Sequence, residues 1–318
     1  MGQLPFPPPL PPQRRYDVVG LGANAADHLI TMPRHPRPGE KVRFERYVRA
    51  GGGQTATALV TVARFGFRTR YFGAVGDDAD GHANLDGLRQ AGVDVSGVLV
   101  RPGGATQRAF ILVDRESGER TILWGRSEGL ILGADEVDAS AIGEGRIFHT
   151  DAQDPRAAAR AARAARAAGM PVIADLELVR EGLDEFLPWI DFLIADAGFP
   201  ERATGSGRLE ESMRILEERT GGAMVIVTLG AQGAVARVAG ATMPIPAYAV
   251  RAVDSTGAGD VFHGAFAVAA LEGMPIGRAL DFCAAVAAMK CLREGGRAGI
   301  PRTIAEVESF QAHTARRT

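Results

Sequence analysis

Asp254-Ser-Thr-Gly-Ala-Gly-Asp260 leads directly into the apolar stretch 261–271, a pattern typical of a tight turn that opens a buried helix. The first backbone N–H groups of a helix have no acceptor within it, and a Gly-Ala-Gly turn directs them at one point. Such a helix start attracts a phosphate or a developing negative charge. Asp260 also falls where an acidic side chain interacts favourably with the helix dipole. Because two aspartates flank the turn, the seven-residue pattern is far more specific than a Gly-x-Gly pair alone.

Short apolar runs alternate with helical stretches along most of the chain. The apolar runs span residues 16–22, 71–75, 147–150, 172–175, 192–195 and 225–229. Helical periodicity marks residues 55–65, 80–91, 155–168 and 209–219 between them. This alternation predicts an α/β fold in which helices cover both faces of a parallel sheet.

Two segments depart from the alternation. Residues 41–50 are polar and basic with interspersed apolar side chains, and residues 106–124 form a hairpin pattern with a turn at 114–118. We expect lid strands from within 38–50 and 99–126, in a small sheet over one edge of the main domain. A lid of that kind excludes water during group transfer.

The composition describes a globular chain of nearly balanced charge. Its 318 residues are 46% hydrophobic, and 36 Lys and Arg face 38 Asp and Glu, which gives a formal net charge of −2. This balance argues against binding nucleic acid or an anionic membrane, since both require a strongly basic face. The sequence contains no apolar run of about 18 residues that could form a membrane span.

The two cysteines indicate the cellular compartment, and the first fifteen residues indicate where the folded domain begins. Cys283 and Cys291 lie in an Ala-rich helical stretch, where we expect reduced, buried thiols of a cytoplasmic protein. Residues 1–15, MGQLPFPPPLPPQRR, carry Pro where a secretory leader needs a helical apolar core. We predict a disordered Pro-rich tail over these residues and one domain over 16–318.

These motifs resemble the ribokinase-like (PfkB) family of carbohydrate kinases, whose closing motif reads D-T-x-G-A-G-D. The resemblance covers 16–301 and includes Gly51-Gly-Gly-Gln-Thr-Ala-Thr-Ala58 and Gly73-Ala-Val-Gly-Asp-Asp78. The sulfofructose kinase subgroup is closest in look, through Asp260-Val-Phe-His-Gly264 and Gly295-Gly-Arg-Ala-Gly-Ile-Pro301. The resemblance implies a three-layer α/β/α domain with a central, mainly parallel sheet and a small β-sheet lid.

The resemblance implies an enzyme that uses ATP and Mg²⁺ to phosphorylate a sugar hydroxyl. Asp260 would be the general base that takes the proton from the attacking hydroxyl. The N–H groups of Gly257, Ala258 and Gly259 would form the anion hole for the γ-phosphoryl group. Phosphoryl transfer consists mostly of positioning and charge stabilisation, which a rigid N–H cluster supplies.

The same resemblance assigns the binding sites for sugar and ATP. Asp27 would hold two sugar hydroxyls, and Gly52 and Gly53 would let the backbone approach the sugar closely. The other candidates on the sugar side are Lys41, Thr57 (where the family often has Asn), Gln107 and Gln153. The ATP site would be lined by Thr228, Gly230, Gly233, Gly257 and Gly259.

Two cation sites are also implied by the resemblance. The monovalent-cation loop, for which K⁺ is expected, would consist of Asp254, Thr256, Gly295 and Gly299. Gly295 also fits an ordinary helix C-cap, a role compatible with cation binding. The family motif N-x-x-E, which organises Mg²⁺ through water, falls at Asp196-Ala-Gly-Phe199, so Asp196 and Asp175 become the candidates for Mg²⁺.

The sequence leaves the substrate open. Sulfofructose kinases carry a basic cluster for the sulfonate, of which Lys41 remains, while Trp124 and Gln153 stand at the other positions. This favours a neutral ketose or aldose, or a sugar acid with one charge, over a sulfonated or phosphorylated sugar. The sequence also permits a nucleoside kinase or a catalytically silent binding protein. Because lid strands of this family often pair between subunits, we expect a homodimer through the lid.

Overall fold

The chain forms thirteen strands and ten α-helices over the residues that the computed structural model describes, 5–116 and 120–317. The strands are β1 (Val18–Leu21), β2 (Ala25–Met32), β3 (Arg46–Gly52), β4 (Thr69–Gly76), β5 (Val93–Arg101), β6 (Arg108–Asp114), β7 (Arg120–Gly125), β8 (Ile147–Thr150), β9 (Val172–Leu176), β10 (Phe192–Asp196), β11 (Met224–Thr228), β12 (Ala234–Val238) and β13 (Ala241–Ile245).

The helices alternate with the strands of the main sheet, as the apolar pattern predicts. They are α1 (Gln54–Arg64), α2 (Ala79–Gln90), α3 (Ala139–Ile142), α4 (Pro155–Ala167), α5 (Leu183–Phe186), α6 (Phe199–Thr204), α7 (Leu209–Arg219), α8 (Ala258–Leu271), α9 (Ile276–Lys290) and α10 (Ile304–His313). Within the described residues, no helix combines the length and apolar character needed to cross a membrane.

The main sheet has nine strands in the order β13-β12-β11-β10-β9-β8-β1-β4-β5. The seven strands from β11 to β5 run parallel, while β12 and β13 are antiparallel additions at one edge. The inner strands are buried on both faces, which explains why they read as continuous apolar runs. In such sheets, ligands bind beyond the carboxyl ends of the strands.

Two separate apolar cores lie on the two faces of this sheet. One core joins the sheet to α1, α8 and α9, through residues such as Leu59, Phe266 and Val286. The other joins it to α4 and α7, through residues such as Ala161 and Leu216. The predicted three-layer α/β/α architecture is confirmed.

The small second sheet has the order β3-β2-β6-β7. It confirms a separate lid sheet, but its strands differ from the expected segments. Strand β2 was not predicted at all, and residues 41–45 precede β3 rather than belong to it. Residues 99–101 belong to β5 of the main sheet, and part of the predicted turn, 117–119, lies outside the described residues.

The described part of the Pro-rich segment packs on the domain, which differs from the expected disordered tail. The ring of Phe6 lies 5.8 Å from that of Phe192 and 4.8 Å from that of Phe266. The guanidinium of Arg14 donates hydrogen bonds to main-chain carbonyls, including that of Gly143 at 2.8 Å. An apolar side chain in a segment without internal hydrogen bonds can be anchored by such tertiary contacts alone. Residues 1–4 lie outside the described residues.

Candidate active site

A cleft of about 990 Å³ opens between the carboxyl edge of the main sheet and the lid. Fourteen of the residues singled out in the sequence line it: Asp27, Gly53, Gln107, Gln153, Asp175, Asp196, Thr228, Gly230, Gly233, Thr256, Gly257, Ala258, Gly259 and Asp260. The tertiary structure thus brings segments from both halves of the chain to one site.

The start of α8 shapes the centre of the cleft. Gly257 caps the helix with φ +73°, in the left-handed region that favours glycine, and a Cβ there would lie 3.0 Å from the carbonyl oxygen of Gly296. The N–H of Ala258 donates to the carbonyl of Ser255 at 3.2 Å. Of the three N–H groups predicted to form the anion hole, those of Gly257 and Gly259 are therefore the better placed to meet an anion.

Asp260 lies in the first turn of α8, half-buried at the base of the cleft. Burial raises its pKa well above the usual range of a carboxyl group, and the nearby charges of Asp175 and Glu177 raise it further. Asp175 in turn lies 3.2 Å from Nε2 of His263, one helical turn beyond Asp260. A carboxyl group with a raised pKa in a cleft is a good candidate for proton transfer.

Asp27, the residue predicted to hold two sugar hydroxyls, projects from β2 into the cleft. Burial raises the pKa of this carboxyl group to about 7, against the opposing effect of the Arg297 charge. A Cβ on Gly52 would lie 2.2 Å from Oδ2 of Asp27, so this close approach of strand and carboxylate requires glycine. Gly52 therefore supports Asp27 without itself lining the cleft.

Arg297 is a site residue that the sequence analysis missed. Its Nε donates to Oγ1 of Thr57 at 3.1 Å and its Nη2 donates to the carbonyl of Gly52 at 2.8 Å. Burial lowers the pKa of Arg297 to about 10, and the charges of Asp27 and Asp260 oppose that shift. Arg297 belongs to the motif 295–301, and an arginine within that glycine-rich motif is the sequence signal that points to it.

Asp151, which follows β8, was also missed. Its Oδ2 accepts hydrogen bonds from the N–H groups of Ala23 at 2.7 Å and Thr55 at 3.1 Å, and its Oδ1 accepts one from Gln153 at 2.9 Å. This buried carboxylate holds the segment after β1 against the start of α1. The sequence signal for Asp151 is its position directly after the apolar run 147–150, which forms a buried strand.

The remaining sugar-side candidates separate into two groups. Gln107 and Gln153 face each other in the cleft wall, with Nε2 of Gln153 3.4 Å from Oε1 of Gln107. Lys41, in contrast, lies exposed in the segment before β3 and does not line the cleft. Lys41 was expected on a lid strand, but the strand begins at Arg46, so that placement is wrong and only its role in sugar binding stays a prediction.

Four arginines near the lid differ in how their charge is used. Arg108 pairs with Asp78 and Asp80, and Arg126 pairs with Asp154, so the charges of both are already balanced. Arg120 and Arg180 line the cleft instead. There Arg120 donates to the hydroxyl of Ser255, and the guanidinium of Arg180 lies 5.8 Å from the centre of the Trp124 ring.

The residues predicted to bind ATP lie where β11 turns into β12. Gly233 has φ +94°, and a Cβ there would lie 2.0 Å from the carbonyl oxygen of Ile245, so a close backbone approach requires glycine. Thr228 and Gly230 line the same end of the cleft. The wall beyond them is apolar, with Ala247, Val250, Ala284, Ala287 and Ala288. Such a wall fits a flat aromatic base.

The two candidates for Mg²⁺ are engaged by protein partners to different degrees. Asp196 accepts hydrogen bonds from the N–H of Phe199 at 2.9 Å and from Nη2 of Arg202 at 2.8 Å. The Phe199 side chain is fully buried in the core, so it supplies no ligand. Asp175 and Glu177 both line the cleft, and the desolvated Glu177 has a raised pKa.

The predicted monovalent-cation loop is assembled, with one unexpected member. Asp254 accepts hydrogen bonds from the N–H groups of Thr256 and Gly295, both at 2.8 Å. Gly299 packs against the backbone of Lys290. Lys290, which the sequence analysis did not single out, donates from Nζ to the carbonyl of Asp254 at 2.7 Å.

Residues 16–303 match the family described as pfkB family carbohydrate kinase. The chain belongs to this family. It is 28% identical over 305 residues to a ribokinase of Haemophilus influenzae, covering 94% of this chain and 99% of that protein. It is 27% identical over 302 residues to a nucleoside kinase of Methanothermobacter thermautotrophicus, covering 93% and 96%. The structure of Arabidopsis thaliana ribokinase complexed with ribose and ATP matches with a TM-score of 0.76 at 26% identity, covering 93% and 98%.

Membership in the pfkB family confirms three predictions made from the sequence. These are the family resemblance, the ribokinase-like fold and the enzyme class, an ATP-dependent carbohydrate kinase that acts as a phosphotransferase. The nearer resemblance to sulfofructose kinases, the roles of single residues and the K⁺ requirement stay predictions.

Proposed function

We propose that this pfkB-family kinase transfers the γ-phosphoryl group of ATP to a sugar hydroxyl, with Asp260 as the general base. The observation that carries the proposal is the position of Asp260 in the first turn of α8, inside the cleft and beside the N–H groups of Gly257 and Gly259. Asp27 follows β1, and Thr228 ends β11, four places away in the strand order of the main sheet, so the two residues belong to opposite ends of the cleft.

The chemistry follows from these positions. The acceptor hydroxyl, bound by the Asp27 carboxylate, attacks the γ-phosphorus while Asp260 takes its proton. The bond between the γ-phosphorus and the bridging oxygen breaks in line, and ADP leaves with that electron pair. The N–H groups of Gly257 and Gly259 stabilise the charge that develops on the transferred group.

The carboxylates of the cleft fit a divalent cation that enters with ATP. Mg²⁺ keeps most of its water ligands and is bound through one or two carboxylates and the phosphates, so it needs no enclosed protein site. Asp175 and Glu177 would hold it through water, since Phe199 supplies no ligand and Asp196 is engaged by Arg202. When bound, the ion neutralises phosphate charge.

The favoured acceptor is a neutral ketose or aldose, or a sugar acid with one charge. Gln107 and Gln153 offer amide hydrogen bonds without charge, and Lys41 lies outside the cleft. Arg108 and Arg126 are already paired with aspartates. Two relatives named ribokinase, from Haemophilus influenzae and Arabidopsis thaliana, support a small sugar. A sulfonated or phosphorylated sugar would instead use Arg120 or Arg180.

A nucleoside is the second candidate acceptor. The lid contributes an apolar surface to the cleft, from Ala109, Ile111, Ile122 and Trp124. That surface fits the base of a nucleoside, and one relative is named nucleoside kinase.

We also propose that the kinase is a cytoplasmic homodimer paired through the lid. The free thiols of Cys283 and Cys291 suit a reducing compartment. The lid face turned away from the cleft exposes large apolar side chains, including Tyr47 and Leu123, which are each about half exposed. Light scattering of the wild type and of Leu123→Glu tests the pairing: the wild type is expected as a dimer and the variant as a monomer. A monomeric wild type contradicts it.

One assay separates the candidate acceptors. ADP release is measured with ATP, Mg²⁺ and a panel of fructose, ribose, 2-keto-3-deoxygluconate, fructose 6-phosphate, sulfofructose and adenosine. A neutral or singly charged sugar is expected to give the highest kcat/KM. A phosphorylated or sulfonated sugar, or the nucleoside, with about a tenfold advantage would overturn the favoured acceptor class. No turnover with any acceptor would contradict kinase activity itself.

A further inference from the structure

A lysine ammonium lies inside the loop that the resemblance assigns to a monovalent cation. Lys290 is the last residue of α9, and its side chain is 0% exposed. Its Nζ donates a 2.7 Å hydrogen bond to the carbonyl oxygen of Asp254. Carbonyl oxygens of this kind are also what a K⁺ ion takes in place of its water shell. An ammonium group is a compact point charge that makes the same contacts by donating hydrogen bonds.

The usual role of a lysine at this position does not explain the contact. A lysine near a helix C-terminus bonds the last carbonyls of its own helix or stays in water. The Nζ of Lys290 instead reaches a carbonyl 36 positions earlier in the chain. The chain has two lysines, Lys41 and Lys290, and 34 arginines. A lysine at this buried position is therefore an exception in a chain that uses arginine for nearly all of its positive charges.

The ammonium of Lys290 lies among charges of both signs. Burial lowers the pKa of Lys290, the charge of Asp254 opposes that shift, and the charge of Arg120 adds to it. Lys290 in turn helps to hold the pKa of Asp254 below its usual range. Gly299 lies so close to the lysine that a Cβ there would be 2.4 Å from the carbonyl oxygen of Lys290. A second cation beside this ammonium would meet like-charge repulsion in a desolvated space, so the loop does not fit K⁺.

The loop connects this charge to the anion hole. Asp254 binds the N–H groups of Thr256 and Gly295 with its two carboxylate oxygens, each at 2.8 Å. The backbone of the neighbouring Gly296 lies against Gly257, so that a Cβ on Gly257 would be 3.0 Å from the carbonyl oxygen of Gly296. A charge that fixes Asp254 therefore also fixes the conformation at the start of α8.

We propose that the ammonium of Lys290 takes the place of the K⁺ ion that the family resemblance implies, so that this kinase needs no added monovalent cation. Lys290 is a positioning residue, since it acts through Asp254 and not on the substrate. The kinetic test rests on the proposed kinase function, whereas the unfolding test does not.

The first experiment uses the wild-type protein. ADP release with Mg²⁺ and the best acceptor is compared in choline chloride and in potassium chloride at equal ionic strength. The kcat/KM is expected to agree within about twofold between the two salts. A stimulation by K⁺ of about tenfold or more overturns the proposal.

The second experiment removes the ammonium. In Lys290→Met, which keeps most of the side-chain volume, kcat in choline is expected to fall by about tenfold or more. Potassium or ammonium chloride should restore most of that loss, because the ion can now enter the vacated space. A loss that is the same in all three salts shows a purely structural role and overturns the proposal. The charged control Arg293→Met, on the exposed turn just beyond α9, should show neither the loss nor the rescue.

Thermal unfolding keeps the proposal testable without turnover. Potassium chloride, compared with choline chloride, should raise the unfolding temperature of Lys290→Met by several degrees but leave that of the wild type unchanged. Equal shifts in both proteins contradict it. A wild type that shows no kinase activity in any salt contradicts the proposed function, and the unfolding comparison then decides the cation proposal alone. If Lys290→Met does not fold, the wild-type comparison of salts decides it.

Discussion

Nε of Arg297 donates a hydrogen bond to Oγ1 of Thr57 at 3.1 Å, across 240 positions of sequence. The same guanidinium bonds the carbonyl of Gly52 at 2.8 Å. Thr57 stands where the family often has Asn. Arg297, which belongs to the distant motif 295–301, packs beside Thr57 and donates a hydrogen bond to it. The arginine thereby supports the strand end that faces Asp27.

Removing Arg297 should weaken acceptor binding selectively. In Arg297→Met we expect the KM for the sugar to rise by about tenfold, because Gly52 loses a hydrogen bond from a charged group and Asp27 loses a charge that favours its ionised form. The KM for ATP should stay unchanged, because Thr228 and Gly233 lie at the other end of the cleft. Steady-state kinetics with each substrate varied measures this, with the exposed Arg293→Met as control. Equal increases in both KM values would contradict the assignment.

Asp260→Asn should abolish most turnover while leaving nucleotide binding intact. The substitution keeps the shape of the side chain and removes the base, for which contributions of about 10²–10⁴-fold are typical. Rapid-quench turnover and calorimetric binding of ATP measure the two effects. Glu272→Gln, an exposed carboxylate at the far end of the same helix, is the matched control. Turnover of Asp260→Asn within about tenfold of the wild type would dismiss the role.

The pKa of Asp27 predicts a pH dependence of both activity and stability. Because burial raises that pKa to about 7, the carboxylate should bind sugar hydroxyls better as the pH rises from 6 to 8. The kcat/KM for the sugar is therefore expected to increase over this range in the wild type. A kcat/KM that falls from pH 6 to 8 would contradict the ionised form as the binding form.

The stability effect of Asp27 has the opposite sign. The folded protein binds this proton more tightly than the unfolded chain, whose Asp has a pKa near 3.8, so the stabilising effect of the proton is lost as the pH rises from about 4 to 7. Asp27→Asn should thus be more stable than the wild type at pH 8, by up to about 4 kcal/mol, and about equal to it at pH 4. Urea unfolding at the two pH values measures this. Equal stability at pH 8 would contradict the raised pKa.

The Mg²⁺ requirement should depend on Glu177 more than on Asp196. Glu177→Gln is expected to raise the Mg²⁺ concentration for half-maximal rate by about tenfold, since partners that orient a metal's ligands typically affect its affinity by 10–100-fold. Asp196→Asn should change it little, because the asparagine oxygen can still accept from the N–H of Phe199. Initial rates against free Mg²⁺ at fixed ATP provide the measurement. The reverse order of the two variants would assign the ion to Asp196.

The sequence by itself determined the layers of the fold and the centre of the site. Strands such as β8 (Ile147–Thr150) and helices such as α7 (Leu209–Arg219) begin and end at the predicted residues, because a buried parallel strand and an amphipathic helix each have a local apolar pattern. The turn 254–260 is local in the same sense. Its glycines and flanking aspartates occupy one helix start, so spacing alone indicates an anion site.

Only the tertiary structure decided which distant groups complete that site. Arg297 meets Thr57, and Lys290 meets Asp254, through contacts between segments far apart in sequence. The local sequence around Lys290 is typical of an ordinary helix end. Its ammonium is buried because the loop that contains Asp254 packs against it, and the local sequence does not show that contact. Lys41 shows the converse, since a lid strand was expected within 38–50, whereas β3 begins five residues after Lys41 and leaves its side chain in solvent. Local periodicity specifies which face of an element is buried, but the partner of a polar side chain depends on which elements pack beside it.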